Sequence, residues 1–588
     1  MSQLENQRSI TGSPQFAPTD SLSPSDQHKL DLAVRQVATQ KTMWAQLGCT
    51  QRVELLNALL KSVQSAARNW VAASCRAKGH VPNTPPAGEE WLSGPYCVAR
   101  CIRLLRNSLN QIARNGKPQL PGRAFVCASG QVVAPVFPTS LFDRLLFMGY
   151  QAEVWMDPAI TLSELPSSMA VAYDNTRLDS GALCFVLGAG NVSSIGPLDA
   201  LYKLFVENQV VFLKMNPVNE YLTEHFNIAF EPLIKPGFLR FVTGGSQAGK
   251  YLCEHPSVDQ IHITGSDKTH DAIVYGVGTE GETRKAQRKP LCHKPVTSEL
   301  GNVSPVILVP GQWSKSDIAY QAENVASMLI NNAGFNCNAI RVLITHHQWP
   351  QREEFLTALR SAFGRIPARR AYYPGAAERF AAFTKGRSSV SMMGQGTGVA
   401  ADSLPWALIE DLDHDNLQDG CFNSEAFCSV MGETRLTADS VAKYLQQAVK
   451  FANESVWGTL NATIIVSPST LKTKSVASAF DQAIVDLKYG TVAINHWAGV
   501  NFALGSTTWG AFPGHPPHDI QSGVGVVHNA YLFDRAQKTV FRGPFRPFPK
   551  PVWLASRTKT HRVGRLLFEF ECSPSWFKLP AILVNALG

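Results

Sequence analysis

The chain has 588 residues, of which 45% are hydrophobic and 17% charged, with a formal net charge of +8. That length exceeds a single core and predicts two or three domains with ample apolar residues to fill them. Lysine and arginine are scattered without a basic–aromatic stripe, which argues against nucleic-acid binding. The 12 cysteines form no CxxC pair and no Cys/His ligand set, which argues against structural zinc and for free reduced thiols.

Residues 1–29, "MSQLENQRSITGSPQFAPTDSLSPSDQHK", lack the basic-then-apolar order of a signal peptide and predict a flexible polar leader on a cytoplasmic protein. From about Leu30 to Asn115 the apolar residues recur at helical spacing, interrupted by "VPNTPPAGEEW". Cys97 and Cys101 fall at i,i+4 on one of these helices. From Gly181 short apolar runs alternate with helical patterns, as in "GALCFVLGAG", "VVFLKMNP", "FLRFVTGG" and "QIHITGS". This texture predicts βαβ units and a parallel sheet covered on both faces. A second α/β series begins near Ser304 with "PVILVP" and continues through "RVLITHH", "ATIIVSP" and "GTVAINH". Two α/β lobes imply a cleft between them, and Cys337 in "NNAGFNCNAI" is a candidate buried filler, redox thiol or nucleophile for it.

Four stretches in order resemble the aldehyde dehydrogenase superfamily: "IHITGS", "TSELGNVSPVIL", "NAGFNCNA" and "NSEAFCSV". The resemblance runs from about residue 30 to 545 and implies an aldehyde-dehydrogenase-like α/β fold. Its parts would be a helical N-terminal segment plus nucleotide-binding domain over 30–301 and a catalytic domain over 302–510. A return to the nucleotide domain with an oligomerisation strand would follow over 511–546. The implied activity is NAD- or NADP-dependent oxidation of an aldehyde to a carboxylic acid by a homo-oligomer, a dimer or tetramer. A thiolate is the side chain best suited to forming a tetrahedral adduct and leaving again, which assigns Cys337 as nucleophile. By resemblance, Asn191 and the Cys337 backbone N–H stabilise the oxyanion, and Glu299, 38 residues before the cysteine, activates water on the thioester. Lys214 would meet the adenosine ribose, Gly265 and Ser266 the pyrophosphate at a helix N-terminus, Glu425 the nicotinamide ribose, and Phe427 would pack beneath the ring.

The sequence departs from the family in several places. No GxGxxG follows the first strand, Pro217 stands where many NAD-preferring relatives carry a glutamate, and NAD versus NADP stays open. Asn302 replaces the second glycine of the Glu-Leu-Gly-Gly run, and the Pro-Phe-Gly-Gly element is reduced to "TTWGAFPGHPPHD". Trp497, Phe502 and Trp509 are candidates for a substrate entrance or for core packing. Two other readings accompany the main one: a CoA-linked enzyme in which coenzyme A takes the acyl group, and an inactive nucleotide-binding protein on the same fold. Residues 547–588 are an extension that ordinary members lack. Its apolar end, "LPAILVNALG", is about half the roughly 20 residues a bilayer crossing needs. Docking on the protein itself or a neighbouring subunit is therefore expected ahead of membrane-surface contact.

Overall fold

The computed structural model describes residues 22–174, 181–396 and 399–587. Most of the expected leader lies outside these residues, and its boundary moves: helix Pro24–Ala38 begins inside it, capped by the Ser23 hydroxyl, which accepts the Asp26 N–H. Ser23 followed by Pro24 at the first helical position is a start signal within a stretch whose composition reads as disordered. Helices Cys49–Lys78 and Cys97–Asn115 supply the rest of the N-terminal segment.

The smaller sheet carries parallel strands Leu239–Val242, Val210–Lys214, Leu183–Leu187, Gln260–Gly265 and Val296–Leu300 in that spatial order, with Gly523–Val524 antiparallel at the edge. Strand order reverses between Leu183–Leu187 and Gln260–Gly265. Connections leaving the two strands there go to opposite faces and open a crevice at their carboxyl ends. Lys214, Gly265 and Glu299 sit at those ends, and Asn191 lies in the loop after Leu187.

The larger sheet has 11 strands. Ser304–Leu308 and Ile340–His346 lie at its centre, and Val430–Leu436, Trp406–Leu412, Asn461–Ile465, Thr491–Ile494 and Ala536–Arg542 extend it in parallel. Val132–Phe137 and Gln151–Met156, which fall within the span assigned by sequence to the nucleotide-binding domain, instead continue this larger sheet through Ala536–Arg542. The same strand corrects the 511–546 assignment: only Gly523–Val524 returns to the smaller sheet, while Ala536–Arg542 enters the larger one.

The C-terminal extension folds onto this body as helices Thr560–Cys572 and Leu579–Leu587. Its Val563, Leu567, Phe568 and Phe570 join the core that the N-terminal helices form with the smaller sheet. Glycines permit the contact: a Cβ on Gly88 would come within 2.4 Å of the His561 nitrogen, and one on Gly564 within 3.0 Å of the Trp91 Cβ. Backbone therefore meets backbone where helix Pro85–Trp91 crosses the tail helix. No helix among the described residues is long and apolar enough to cross a membrane.

Candidate active site

Cys337 lies in the loop between helix Lys315–Ile330 and strand Ile340–His346, facing the carboxyl ends of the smaller sheet. The loop carries three consecutive left-handed residues, Asn332, Ala333 and Gly334. Such a run persists only where its surroundings hold it. Glu89 Oε2 accepts the Asn332 N–H at 2.8 Å, and Arg369 Nη1 fixes both Glu89 oxygens at 2.8 Å. Lys78 Nζ donates to Asn332 Oδ1 at 3.0 Å, to the Asn191 carbonyl at 3.1 Å and to Glu90 at 2.8 Å. Tyr372 donates to the same Asn332 and Asn191 oxygens at 2.9 and 3.0 Å. This buried network ties the cysteine loop to the Asn191 loop. Lys78, Glu89 and Tyr372 carry no motif, and nothing in their spacing points to one another; only the fold joins them.

The structure brings the three proposed catalytic residues together. Glu299 is buried, accepts from Trp509 Nε1 at 3.3 Å and receives the Cys337 thiol proton in a hydrogen bond. Burial pushes its carboxyl up to about 8, with the neighbouring Asp199 and Glu425 charges adding to the rise. Half-buried Cys337 is likewise raised, first by desolvation and then by the charges of Glu299 and Glu425, so the resting site holds a neutral thiol. The Cys337 backbone N–H faces its own sulfur. Asn191 commits one amide N–H to the Phe335 carbonyl at 2.9 Å, leaving the geometry of a two-donor amide with one N–H to give. Trp509, a candidate for the entrance, is fully buried and acts instead on Glu299. Trp497 and Phe502 do line the cavity over the thiol, which has a volume of about 130 Å³.

Candidate cofactor residues surround the switch-point crevice. Glu425 is buried with Oε1 unpartnered, while its carboxylate accepts the Asn302 backbone N–H; burial raises it to about 7, partly offset by Arg341. An orphaned buried carboxylate oxygen suits a hydroxyl donor such as that of a ribose. Ser266 caps helix Asp267–Val274 by accepting the Thr269 N–H, and Gly265 before it is exposed. Lys214 Nζ donates to the Met215 and Gly244 carbonyls at 3.0 and 2.7 Å, bracing the loops beside the crevice. Phe427, in a left-handed conformation, packs edge-on to Tyr373 and beside Phe335. Asn302 is a buried brace: its side chain donates to Ser304 and to the Asn461 carbonyl.

The model of the aldehyde dehydrogenase family matches residues 200–374. Human 4-trimethylaminobutyraldehyde dehydrogenase is 31% identical over 178 residues, 29% of this chain and 32% of that protein. Apple (Malus domestica) peroxisomal aminoaldehyde dehydrogenase 2 is 36% identical over 114 residues, 19% of this chain and 20% of that one. The matched stretches thus span a third or less of these relatives. In fold the likeness is broader. The NADP-dependent glyceraldehyde-3-phosphate dehydrogenase of Bacillus halodurans, solved with NADP, superposes with a TM-score of 0.57 at 16% identity, over 88% of this chain and 91% of that one. The NAD-dependent aldehyde dehydrogenase of Sinorhizobium meliloti gives 0.58 at 17%, over 90% and 89%. Residues 200–374 are thus similar to the aldehyde dehydrogenase family, and the chain as a whole shares the fold of these solved dehydrogenases.

Proposed function

We propose that the protein oxidises an aldehyde to a carboxylic acid, with a nicotinamide dinucleotide as oxidant and water as acyl acceptor. The observation that carries this reading is the direct contact of a buried glutamate, Glu299, with the thiol of Cys337. Glu299 accepts the thiol proton as Sγ bonds to the carbonyl carbon. The oxygen then takes up charge beside the Cys337 N–H and the remaining Asn191 N–H, donors already in place before reaction. Glu425, Ser266, Gly265 and Lys214 would hold a nicotinamide dinucleotide, which when bound would supply the hydride acceptor needed to oxidise the adduct to a thioester. Glu299, once its proton has passed to solvent, removes a proton from water as the water oxygen attacks the thioester carbon; the C–S bond breaks and the thiol is restored.

The test is reduced-cofactor production with a panel of aldehydes, NAD or NADP, and with or without coenzyme A. Turnover without coenzyme A is expected. Activity that appears only with it would remove the hydrolytic role of Glu299, and nucleotide binding without turnover would identify a binding protein on this frame.

Two further results are expected. Asn191→Ala lowers kcat about 10²–10³-fold with little change in KM, because the lost donor acts on a charge that exists only as the oxyanion forms. Wild-type deacylation rises with pH through about 8, since the carboxylate form of Glu299 is lost as pH falls through that value. Glu299→Gln leaves a single burst of reduced cofactor, itself slowed because the thiol proton must then pass to solvent, followed by a steady state slower by about 10²–10⁴-fold and no such limb. It also removes one of the charges that raise the thiol, so iodoacetamide alkylation of Cys337 begins at lower pH. A lost burst, or an unmoved alkylation profile, would contradict the pairing.

A further inference from the structure

The cavity over Cys337 is walled in part by the C-terminal extension. Val552, Trp553, Leu554, Thr560 and Leu567 line it, opposite Trp497 and Phe502 of the catalytic lobe and Leu92 and Tyr96 of the N-terminal helices. Only two of its lining residues are charged. One is Glu299 beside the thiol; the other, Glu89, is already pinned by Arg369 and the Asn332 N–H. Neither is free to receive a cation, and no lysine or arginine lines the cavity to receive an anion.

The wall is built into the body. Glu571, at the end of the tail helix, is buried and accepts from Arg100 Nη1 at 2.8 Å and from Arg103 Nε at 2.6 Å. Trp91 packs on Phe568 with ring centroids 5.6 Å apart, and the Gly88–Gly564 crossing locks the tail helix to the short helix that carries Glu89. Trp553 is held against Tyr150 and His496.

We infer that the C-terminal extension is a specificity-determining wall of the aldehyde site, and that the site takes an uncharged apolar aldehyde whose non-reacting end packs against Trp553, Leu554 and Leu567. This rests on the proposed dehydrogenase activity. A buried charge without a partner is disfavoured in such a cavity, whereas each methylene that leaves water for it gains binding. Substrate chemistry therefore separates this chain from the curated relatives whose names specify trimethylamino- and aminoaldehydes.

The experiment measures kcat/KM for straight-chain aldehydes from propanal to decanal, and for two compounds of nearly equal shape, 4-trimethylaminobutyraldehyde and 5,5-dimethylhexanal. It is accompanied by protection of Cys337 from iodoacetamide by propanamide or decanamide, read by peptide mass spectrometry. In the wild type, kcat/KM is expected to rise about fourfold for each methylene buried, the neutral compound to exceed its cationic counterpart, and decanamide to protect where propanamide does not. Trp553→Ala and Leu567→Ala should each lower the octanal-to-propanal ratio about tenfold. A flat chain-length profile, or preference for the cation, overturns the inference while leaving the dehydrogenase reading intact. Protection by decanamide in a protein that oxidises no aldehyde sustains the apolar site and defeats the dehydrogenase reading. The protection measurement uses unsubstituted protein, so it decides the matter even if a variant fails to fold.

Discussion

Cys337→Ala is expected to lower aldehyde turnover by on the order of 10⁵-fold or more, the scale seen when a covalent nucleophile is removed from an otherwise intact site. No neighbour can substitute. Glu299 is a poorer nucleophile, and the other cysteines that line the cavity reduce to Cys97, which burial raises to about 12 and whose sulfur donates to the Leu92 carbonyl. Stability should hardly change, because Cys337 is half-buried and its loop is held by Asn332, Gly334 and Arg341. Steady-state kinetics beside a thermal melt and a nucleotide-binding titration checks both statements. An alanine variant that retained more than a hundredth of the activity (about 10²-fold loss or less) would show that the thiol is not the nucleophile.

Glu571→Ala should destabilise the protein by about 3–5 kcal/mol, the usual cost of removing one partner from a buried ion pair. Arg100 keeps its two bonds to Asp143 at 3.1 Å and its bond to the Leu504 carbonyl at 2.6 Å. Arg103 loses its carboxylate partner altogether. The effect reaches the active site through named contacts: the tail helix seats the helix that carries Glu89, and Glu89 holds the Asn332 N–H of the cysteine loop. Denaturant unfolding should show a lowered midpoint, and Cys337 should alkylate faster as the wall loosens. Glu571→Gln, which keeps an acceptor, should recover part of the loss. An unchanged midpoint would mean that the extension is an appendage, not part of the core.

Much of the candidate site was legible because the family resemblance is carried by short contiguous stretches. Cys337 and Glu299 take their proposed roles from the stretches that resemble the family; by itself a cysteine among small and amide residues stays a filler, a redox thiol or a nucleophile. The candidate cofactor residues were less so: Ser266 announces itself as a helix cap, but the orphaned oxygen of Glu425 and the two carbonyls that engage Lys214 depend on loops from separate strands. Trp509 could be flagged as an aromatic near a strand, yet its indole N–H on Glu299 is a contact across 210 residues.

The sequence by itself determined the two α/β lobes, through apolar runs at strand length alternating with helical periods, and the order of nucleophile, base and oxyanion candidates along the chain. Only the tertiary structure decided that residues 132–156 and 536–542 complete the larger sheet, that Lys78, Glu89 and Tyr372 clamp the cysteine loop, and that the extension lines the cavity instead of leaving the body. The physical reason is one of range. Period and turn chemistry act over a few residues and are written locally, whereas strand pairing, buried ion pairs such as Glu571 with Arg103 and the close approach of Gly88 to Gly564 join segments hundreds of residues apart, whose complementarity exists only once the chain has folded.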